Sequence, residues 1–248
     1  MSFSIQLGNF LYKHAFVLYE PMYSAFKNKQ DAYEIQMLRK HIKKGQVVLD
    51  IGANIGYYAK ILSRLVGSDG QVYCFEPDAK NFKHLQHGVG NLNNVIINQK
   101  AVSSKTETLK IYTSKELNVD HRTYKPEQYD QELNIDAVSI DDYLKSLNQS
   151  DIDFIKIDIQ GFEMQAIKGM ENTLKNNPKI KIISEFWPYG LKAAGSSVSE
   201  YFTYLSNLGF KIELLQKNSL SLLNLAEVQS LEKLGKEHYF NIFAQRHV

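Results

Sequence analysis

The chain has 248 residues, a formal net charge of +2, and 44% hydrophobic residues, which is typical of one globular domain with a substantial core. The near-neutral charge gives no electrostatic reason to expect nucleic acid or an anionic membrane as a partner. No apolar run reaches the length of a membrane span, no secretory signal is evident, and the lone Cys74 cannot form an internal disulfide, so we predict a cytoplasmic protein without a transmembrane segment.

Residues 1–45 are predicted to form an N-terminal helical extension that precedes one domain over residues 46–248. Apolar and aromatic residues recur at helical spacing on both sides of Pro21. The simplest interpretation is a set of extra helices that covers one edge of a sheet. The aromatic content also leaves open a lid, a patch that rests on a membrane, or a dimer face that would make the protein a homo-oligomer.

Residues 47–51 form an apolar strand pattern, followed by the turn Gly52-Ala53-Asn54-Ile55-Gly56 and by a helical pattern from Tyr57. A strand, a glycine-rich turn and a helix are how open α/β sheets approach a nucleotide. The turn lacks the third glycine of the dinucleotide fingerprint, and Asp50 before it would repel a pyrophosphate but could accept a bond from an ammonium group. This favours a ligand with an adenosine end and a cationic amino-acid end, S-adenosylmethionine.

The second predicted strand, residues 71–75, ends at Glu76 and Pro77. A carboxylate at the tip of this strand is the standard acceptor for ribose hydroxyls. A third strand over residues 95–98 leads to Ala101 and Val102, and backbone groups here commonly meet an adenine. The predicted cofactor-binding residues are Asp50, Gly52, Ala53, Asn54, Gly56, Tyr57, Glu76, Pro77, Asn98, Ala101, Val102 and Asp158.

Residues 106–114 alternate between apolar and polar side chains, which predicts a strand added to the usual α/β pattern. Residues 115–135 are polar and irregular, and a long structureless stretch in a compact domain is usually functional or disordered. We interpret it as a loop over the active site with His121 as a candidate catalytic residue, although a loop histidine is also commonly just solvated.

A second set of acidic residues follows later strands. Residues 153–159 are predicted to form a strand that carries Asp158, and residues 179–186 form another that carries Glu185. Because ligands bind beyond the carboxyl ends of the strands, these side chains should share one rim with Asp50 and Glu76. A partly desolvated Asp158 there could serve as general base for a substrate hydroxyl.

Glu163 lies one turn into the helix that follows the turn at Gln160 and Gly161. It is predicted as a catalytic residue together with Asp158, Glu185 and His121, although an acid at a helix N-terminus is also favoured by the helix dipole. The alternative is a Mg²⁺ site with Asp158, Glu163 and Glu185 as oxygen ligands.

Strand and helix patterns alternate to the end of the chain, with last strands over residues 211–215 and 240–245. This predicts an α/β fold with a doubly wound, mostly parallel, seven-stranded Rossmann-like sheet and an antiparallel edge strand.

Together these motifs resemble the FkbM family of class I S-adenosylmethionine-dependent methyltransferases. The matching segments are residues 49–56, 75–77, 101–102, 138–141 and 154–163. The resemblance implies methyl transfer to a hydroxyl oxygen of a carbohydrate or polyketide, and therefore a small-molecule or glycan acceptor. It also implies that Asp50, Gly52 and Asn54 line the methionine side, that Glu76 holds the ribose, and that Asp158 and Glu163 sit at the reaction centre. Gln160 stands where the family commonly has an acid.

Three other functions remain open at this point. A nicotinamide oxidoreductase is disfavoured by the missing third glycine and by Asp50. A methyltransferase of another acceptor class, nucleic acid or protein, shares the expected fold, but a nucleic-acid enzyme usually presents a basic face. A non-catalytic binding or scaffolding protein could keep the fold and the cofactor site without turnover.

Overall fold

A computed structural model describes residues 3–112 and 129–246, with side chains from residue 6 onward. The helices in this part of the chain are α1 Phe3–His14, α2 Phe16–Gln30, α3 Ala32–His41, α4 Tyr57–Val66, α5 Ala79–Val89, α6 Ile140–Ser146, α7 Glu163–Lys168, α8 Glu171–Asn176, α9 Pro188–Ala193, α10 Val198–Asn207 and α11 Leu225–Leu231. The strands are β1 Val47–Ile51, β2 Gln71–Phe75, β3 Val95–Asn98, β4 Ala101–Val102, β5 Glu107–Tyr112, β6 Glu132–Val138, β7 Phe154–Ile157, β8 Lys181–Phe186, β9 Lys211–Leu215, β10 Leu220–Leu222 and β11 Phe240–Gln245.

The main sheet has the strand order β10-β9-β11-β8-β7-β1-β2-β3. Strands β3, β2, β1, β7 and β8 are parallel, whereas β11 runs antiparallel between β8 and β9. The predicted doubly wound, mostly parallel sheet with an antiparallel edge is therefore confirmed. The sheet has eight strands rather than seven, because the three-residue β10 folds back on β9 in a hairpin too short to give an alternating pattern.

Side chains of β1 alternate between two core layers, as a strand buried on both faces requires. Leu49 and Ile51 face a layer that contains α7 and α10, whereas Val48 faces the layer of α3 and α4. Asp50 shares the second face, and in register it lies beside Lys156 of β7. The face under the N-terminal helices is thus the one that carries buried charges.

The strand predicted after residue 106 is β5, which pairs with β6 in a separate three-stranded sheet of order β4-β6-β5. The prediction of a loop from 115 to 135 is wrong at its end, because β6 begins at Glu132 and gains its backbone partners from β5. Most of that predicted loop, including His121, lies outside the described residues.

The N-terminal extension consists of three helices that pack on the α4–α5 side of the sheet. Tyr12 donates a hydrogen bond of 2.5 Å to Asn81, and Tyr58 donates one of 2.7 Å to Asp31. Near the C-terminus, Gln30 donates to Tyr239 over 3.2 Å. These contacts hold α2 and α3 across the carboxyl ends of the central strands rather than along a sheet edge. No helix in the described residues is long and apolar enough to span a bilayer.

Candidate active site

A cavity of about 450 Å³ opens at the carboxyl ends of β1, β2, β7 and β8. Its walls include ten of the residues predicted from the sequence, namely Gly52, Ala53, Asn54, Tyr57, Glu76, Pro77, Ala101, Val102, Asp158 and Glu185. Four other predicted residues, Asp50, Gly56, Asn98 and Glu163, do not line it. The cavity is therefore the place where the two predicted sets of residues meet.

The turn after β1 depends on a glycine at position 52. Gly52 has φ +86°, and a Cβ there would lie 1.9 Å from the Asp158 carbonyl oxygen. The amides of Gly52 and Ala53 both donate to the Phe75 carbonyl oxygen at 3.0 Å. A side chain at position 52 would thus separate the β1 and β7 turns, and its absence leaves backbone exposed to a ligand.

Asn54 and Gly56 complete this turn in the left-handed region. Asn54 has φ +50°, and its Oδ1 accepts the Ile55 amide at 2.8 Å, a local bond that stabilises this conformation. Gly56, with φ +89°, forms the N-cap of α4, and a Cβ there would lie 3.0 Å from Leu85 Cδ1 of α5. Gly56 therefore shapes the turn from behind the cavity wall.

Glu76 fixes the tip of β2 to the glycine turn. Its carboxylate accepts the Asn54 amide at 2.9 Å and the Asp78 amide at 3.0 Å. Burial raises the pKa of Glu76 to about 8, against the opposing effect of these backbone donors. A buried carboxyl at this position has lone pairs left for hydroxyl groups of a ligand in the cavity.

Asp50 is completely buried and lies behind the cavity wall. Neither of its carboxylate oxygens has a hydrogen-bond partner among the described residues. Burial raises its pKa to about 6, although the ammonium of Lys156 favours the charged form. Buried polar atoms normally find partners, so these two oxygens still need a donor that the described residues do not supply.

Lys156 and Asp158 form a charged pair on the floor of the cavity. Lys156 is 3% exposed, and its Nζ lies 3.6 Å from Asp158 Oδ2 and 4.1 Å from the centre of the Tyr58 ring. Burial alone would lower the pKa of Lys156, but the carboxylates of Asp158, Glu34 and Asp50 raise it above its usual value. Lys156 is therefore a permanent cation at neutral pH.

Asp158 and Glu185 have pKa values that are pushed in opposite directions. Burial opposes the charge of Asp158, but Lys156 and Lys27 hold its pKa below the usual value. Burial, followed by the charge of Asp158, raises the pKa of Glu185 well above its usual value. Gln160 Nε2 lies between them, 3.3 Å from Asp158 Oδ1 and 3.4 Å from Glu185 Oε1. Such a split favours the anion at Asp158 and the proton at Glu185.

Glu163 holds the turn between β7 and α7. Its Oε1 accepts the amides of Ile159 at 3.0 Å and Gly161 at 3.2 Å, whereas Oε2 has no partner among the described residues. The turn is tight, with φ +56° at Gln160 and φ +100° at Gly161. Glu163 is fully buried, burial raises its pKa to about 7, and it does not reach the cavity. The structure thus places it to position Asp158 and Gln160.

The N-terminal helices supply a wall that the sequence did not reveal. It consists of Tyr23, Lys27, Gln30, Asp31 and Glu34. Lys27 pairs with Asp31 at 2.5 Å, and Asn241 of β11 donates to Glu34 Oε2 at 2.7 Å. The signal available was the spacing of positions 23, 27 and 30, which lie on one face of α2.

Asn98 lies beside this site without lining it, since its Nδ2 donates to the Cys74 carbonyl oxygen at 3.1 Å. Within residues 3–112 and 129–246, no group of three or more His, Cys, Asp or Glu residues is placed to hold a metal ion. The alternative Mg²⁺ set of Asp158, Glu163 and Glu185 does not come together, because Glu163 is directed to the turn amides.

A family model described as the methyltransferase FkbM domain matches residues 50–212. The match covers well over half of the chain and contains the Gly52 turn, Glu76, Asp158 and Glu185. The chain belongs to the FkbM methyltransferase family. The predicted family resemblance and the α/β methyltransferase fold are thereby confirmed.

Two curated relatives of this FkbM-family chain have known names. It is 26% identical to the 2-O-methyltransferase NoeI of Sinorhizobium fredii over 53% of this chain and 60% of the relative. It is 25% identical to the hexuronic acid methyltransferase AglP of Haloferax volcanii over 60% of this chain and 59% of the relative. The match thus spans about three fifths of each relative's length.

Among solved structures, the FkbM-family chain resembles a Streptococcus mutans protein solved in complex with SAH (S-adenosylhomocysteine). The TM-score is 0.50 and the identity is 11%, with 86% of this chain and 96% of the other covered. At this identity the likeness shows a shared fold.

Proposed function

We propose that this FkbM-family protein transfers a methyl group from S-adenosylmethionine to a hydroxyl oxygen of a carbohydrate. The observation that carries the proposal is the single cavity that joins the Gly52 turn and Glu76 to the Asp158–Glu185 pair. One curated relative is named as a 2-O-methyltransferase and the other as a hexuronic acid methyltransferase. These names favour a carbohydrate over a polyketide acceptor.

The residues on the β1–β2 side fit S-adenosylmethionine. The backbone of Gly52 to Asn54 would hold the amino-acid end, and Glu76 would accept from the ribose hydroxyls. The walls at Pro77, Ala101 and Val102 would pack against the adenine. When bound, the cofactor supplies an electrophilic methyl carbon attached to a sulfonium.

The β7–β8 side would handle the acceptor. Asp158 would accept the hydrogen bond of the acceptor hydroxyl and then its proton as the new C–O bond forms. The hydroxyl oxygen becomes strongly acidic as that bond forms, so even a carboxylate with a depressed pKa suffices as general base. Lys156 would hold Asp158 as an anion, and the protonated Glu185 would donate to an acceptor oxygen. Much of the rate enhancement then comes from orientation.

The test is transfer of radiolabelled methyl from S-adenosylmethionine to a panel of hexoses, uronic acids and hydroxylated polyketides. We expect labelled sugar with wild type, and a kcat lower by about 10²–10⁴-fold in Asp158→Asn with SAH binding retained. Glu200→Gln is a matched control, because Glu200 is an exposed acid of α10 that pairs with Lys168 of α7 and does not line the cavity.

Two results would contradict the proposal. Binding of SAH without transfer to any acceptor would favour the non-catalytic alternative. Full activity of Asp158→Asn would show that Asp158 is not the general base.

A further inference from the structure

Helix α2 has two faces of opposite character. Its inner face, which includes Tyr23 and Lys27, lines the cavity. Its outer face is exposed and apolar, with Val17 84% exposed, Leu18 64% and Phe26 62%. The exposed members of this face are Val17, Leu18, Pro21, Met22, Ala25 and Phe26. They form adjacent pairs that repeat every four residues, which puts all of them on one side of the helix.

Helix α1, which a single residue joins to α2, adds exposed Leu7 and Phe10. We call the eight residues together the outer apolar face. The helices are firmly packed, because Tyr12 contacts Phe16 and Tyr19, and Glu20 forms an ion pair with Lys60 of α4. A large exposed apolar patch on a packed element marks an interaction surface.

The charges around the outer apolar face have one sign. Between positions 3 and 30 the sequence has one acidic residue, Glu20, against the three lysines Lys13, Lys27 and Lys29. Glu20 is ion-paired toward α4, whereas Lys13 and Lys29 are exposed. The near-neutral charge of the whole chain conceals this local bias. Exposed apolar residues flanked by lysines are the composition of helices that lie in a membrane interface.

A second copy of the chain fits this face less well. A two-fold contact is made by the same patch on both copies, so it would bring Lys13 and Lys29 toward lysines of the partner. The outer apolar face offers no carboxylate to pair with them. Anionic headgroups would supply the missing negative charge while the acyl region buries the apolar side chains.

We propose that the outer apolar face of α1 and α2 docks on the surface of an anionic phospholipid bilayer. The helices would lie in the plane of the interface with Leu18 and Phe26 inserted and with Lys13 and Lys29 at the headgroups. Because the inner face of α2 is a wall of the cavity, docking would hold the active site beside the membrane surface. The proposal rests on α1 and α2 and is independent of the reaction.

The test is cosedimentation of the full chain with phosphatidylcholine vesicles that contain or lack phosphatidylglycerol. We expect binding to the anionic vesicles, weaker binding without phosphatidylglycerol, and a loss of at least about tenfold in Leu18→Ser/Phe26→Ser. The control is Leu222→Ser/Leu225→Ser, which removes exposed leucines from β10 and α11. Lys13→Glu/Lys29→Glu should abolish the preference for phosphatidylglycerol.

Equal thermal midpoints and equal far-UV circular dichroism spectra would show that these surface variants are folded. The proposal is overturned if wild type binds neither vesicle, or if Leu18→Ser/Phe26→Ser binds as well as the control. It is also overturned if wild type does not bind vesicles and sedimentation equilibrium shows that it is a dimer, which only Leu18→Ser/Phe26→Ser dissociates. Methyl transfer is not measured in any arm, so the result does not depend on the proposed function.

Discussion

The close approach of the β1 and β7 turns at Gly52 yields the sharpest prediction. Alanine at position 52 must adopt φ near +86° and place its Cβ 1.9 Å from the Asp158 carbonyl oxygen. Left-handed backbone costs a residue with a Cβ about 1–2 kcal/mol. The overlap is with backbone, which no rotamer change relieves, and overpacking of this kind costs about 1–3 kcal/mol more.

Gly195→Ala is a matched control for that substitution. Gly195 has φ +85°, and nothing lies within 4 Å of the position of its Cβ. It should therefore lose only the backbone contribution of about 1–2 kcal/mol. The difference between the two variants, about 1–3 kcal/mol, isolates the contact between the turns.

The assay combines thermal unfolding with titration of SAH into both variants. We expect the thermal midpoint of Gly52→Ala to fall below that of Gly195→Ala by roughly 2–4 °C for each kcal/mol. SAH affinity should fall only in Gly52→Ala, because the turn that holds the ligand has moved. Equal destabilisation with equal SAH affinity would refute the close approach of the two turns.

Three further predictions concern charged residues at the site. Lys156→Met removes the cation that lowers the pKa of Asp158, so the acid limb of the kcat/KM–pH profile should move to higher pH; an unmoved limb would contradict this role. Glu163→Gln keeps an oxygen for the two turn amides and should retain activity that Glu163→Ala loses, whereas equal loss in both would indicate a direct catalytic role. Burial raises the pKa of Glu34 to about 7, so protonation of Glu34 stabilises the folded state. This contribution to the free energy of unfolding is complete below pH 4.5 and is lost as the pH rises through 7. Urea unfolding should show a smaller loss of stability from pH 5 to 8 in Glu34→Gln than in wild type, and identical slopes would argue against it.

The cofactor side could be predicted largely from local sequence. The strand, the turn through Gly52 and the acid at Glu76 are close in the chain, and strand register brings their ends together at one edge. Asp158 and Glu185 were also placed correctly on this rim, because parallel strands end on the same side of a sheet. Such features follow from short-range patterns and one rule of topology.

The remainder depends on long-range packing. The wall from Tyr23 to Glu34 forms through contacts such as Tyr58 with Asp31 and Asn241 with Glu34, which no local pattern encodes. The sequence also does not predict whether an acidic residue lies on the cavity wall or behind it. Asp50 and Glu163 both stand beside glycine turns, yet one is buried within the sheet and the other is directed to the turn amides.

The most direct test of the central claim is calorimetric titration of SAH into wild type, Glu76→Gln and the control Glu200→Gln. Glutamine at position 76 keeps the shape of the side chain but loses one acceptor of the amides and of the ribose hydroxyls. We predict micromolar binding to wild type and Glu200→Gln and at least about tenfold weaker binding to Glu76→Gln, a difference of about 1.4 kcal/mol. Absence of SAH binding to wild type, or equal affinity in all three proteins, would contradict the assignment of this cavity to S-adenosylmethionine.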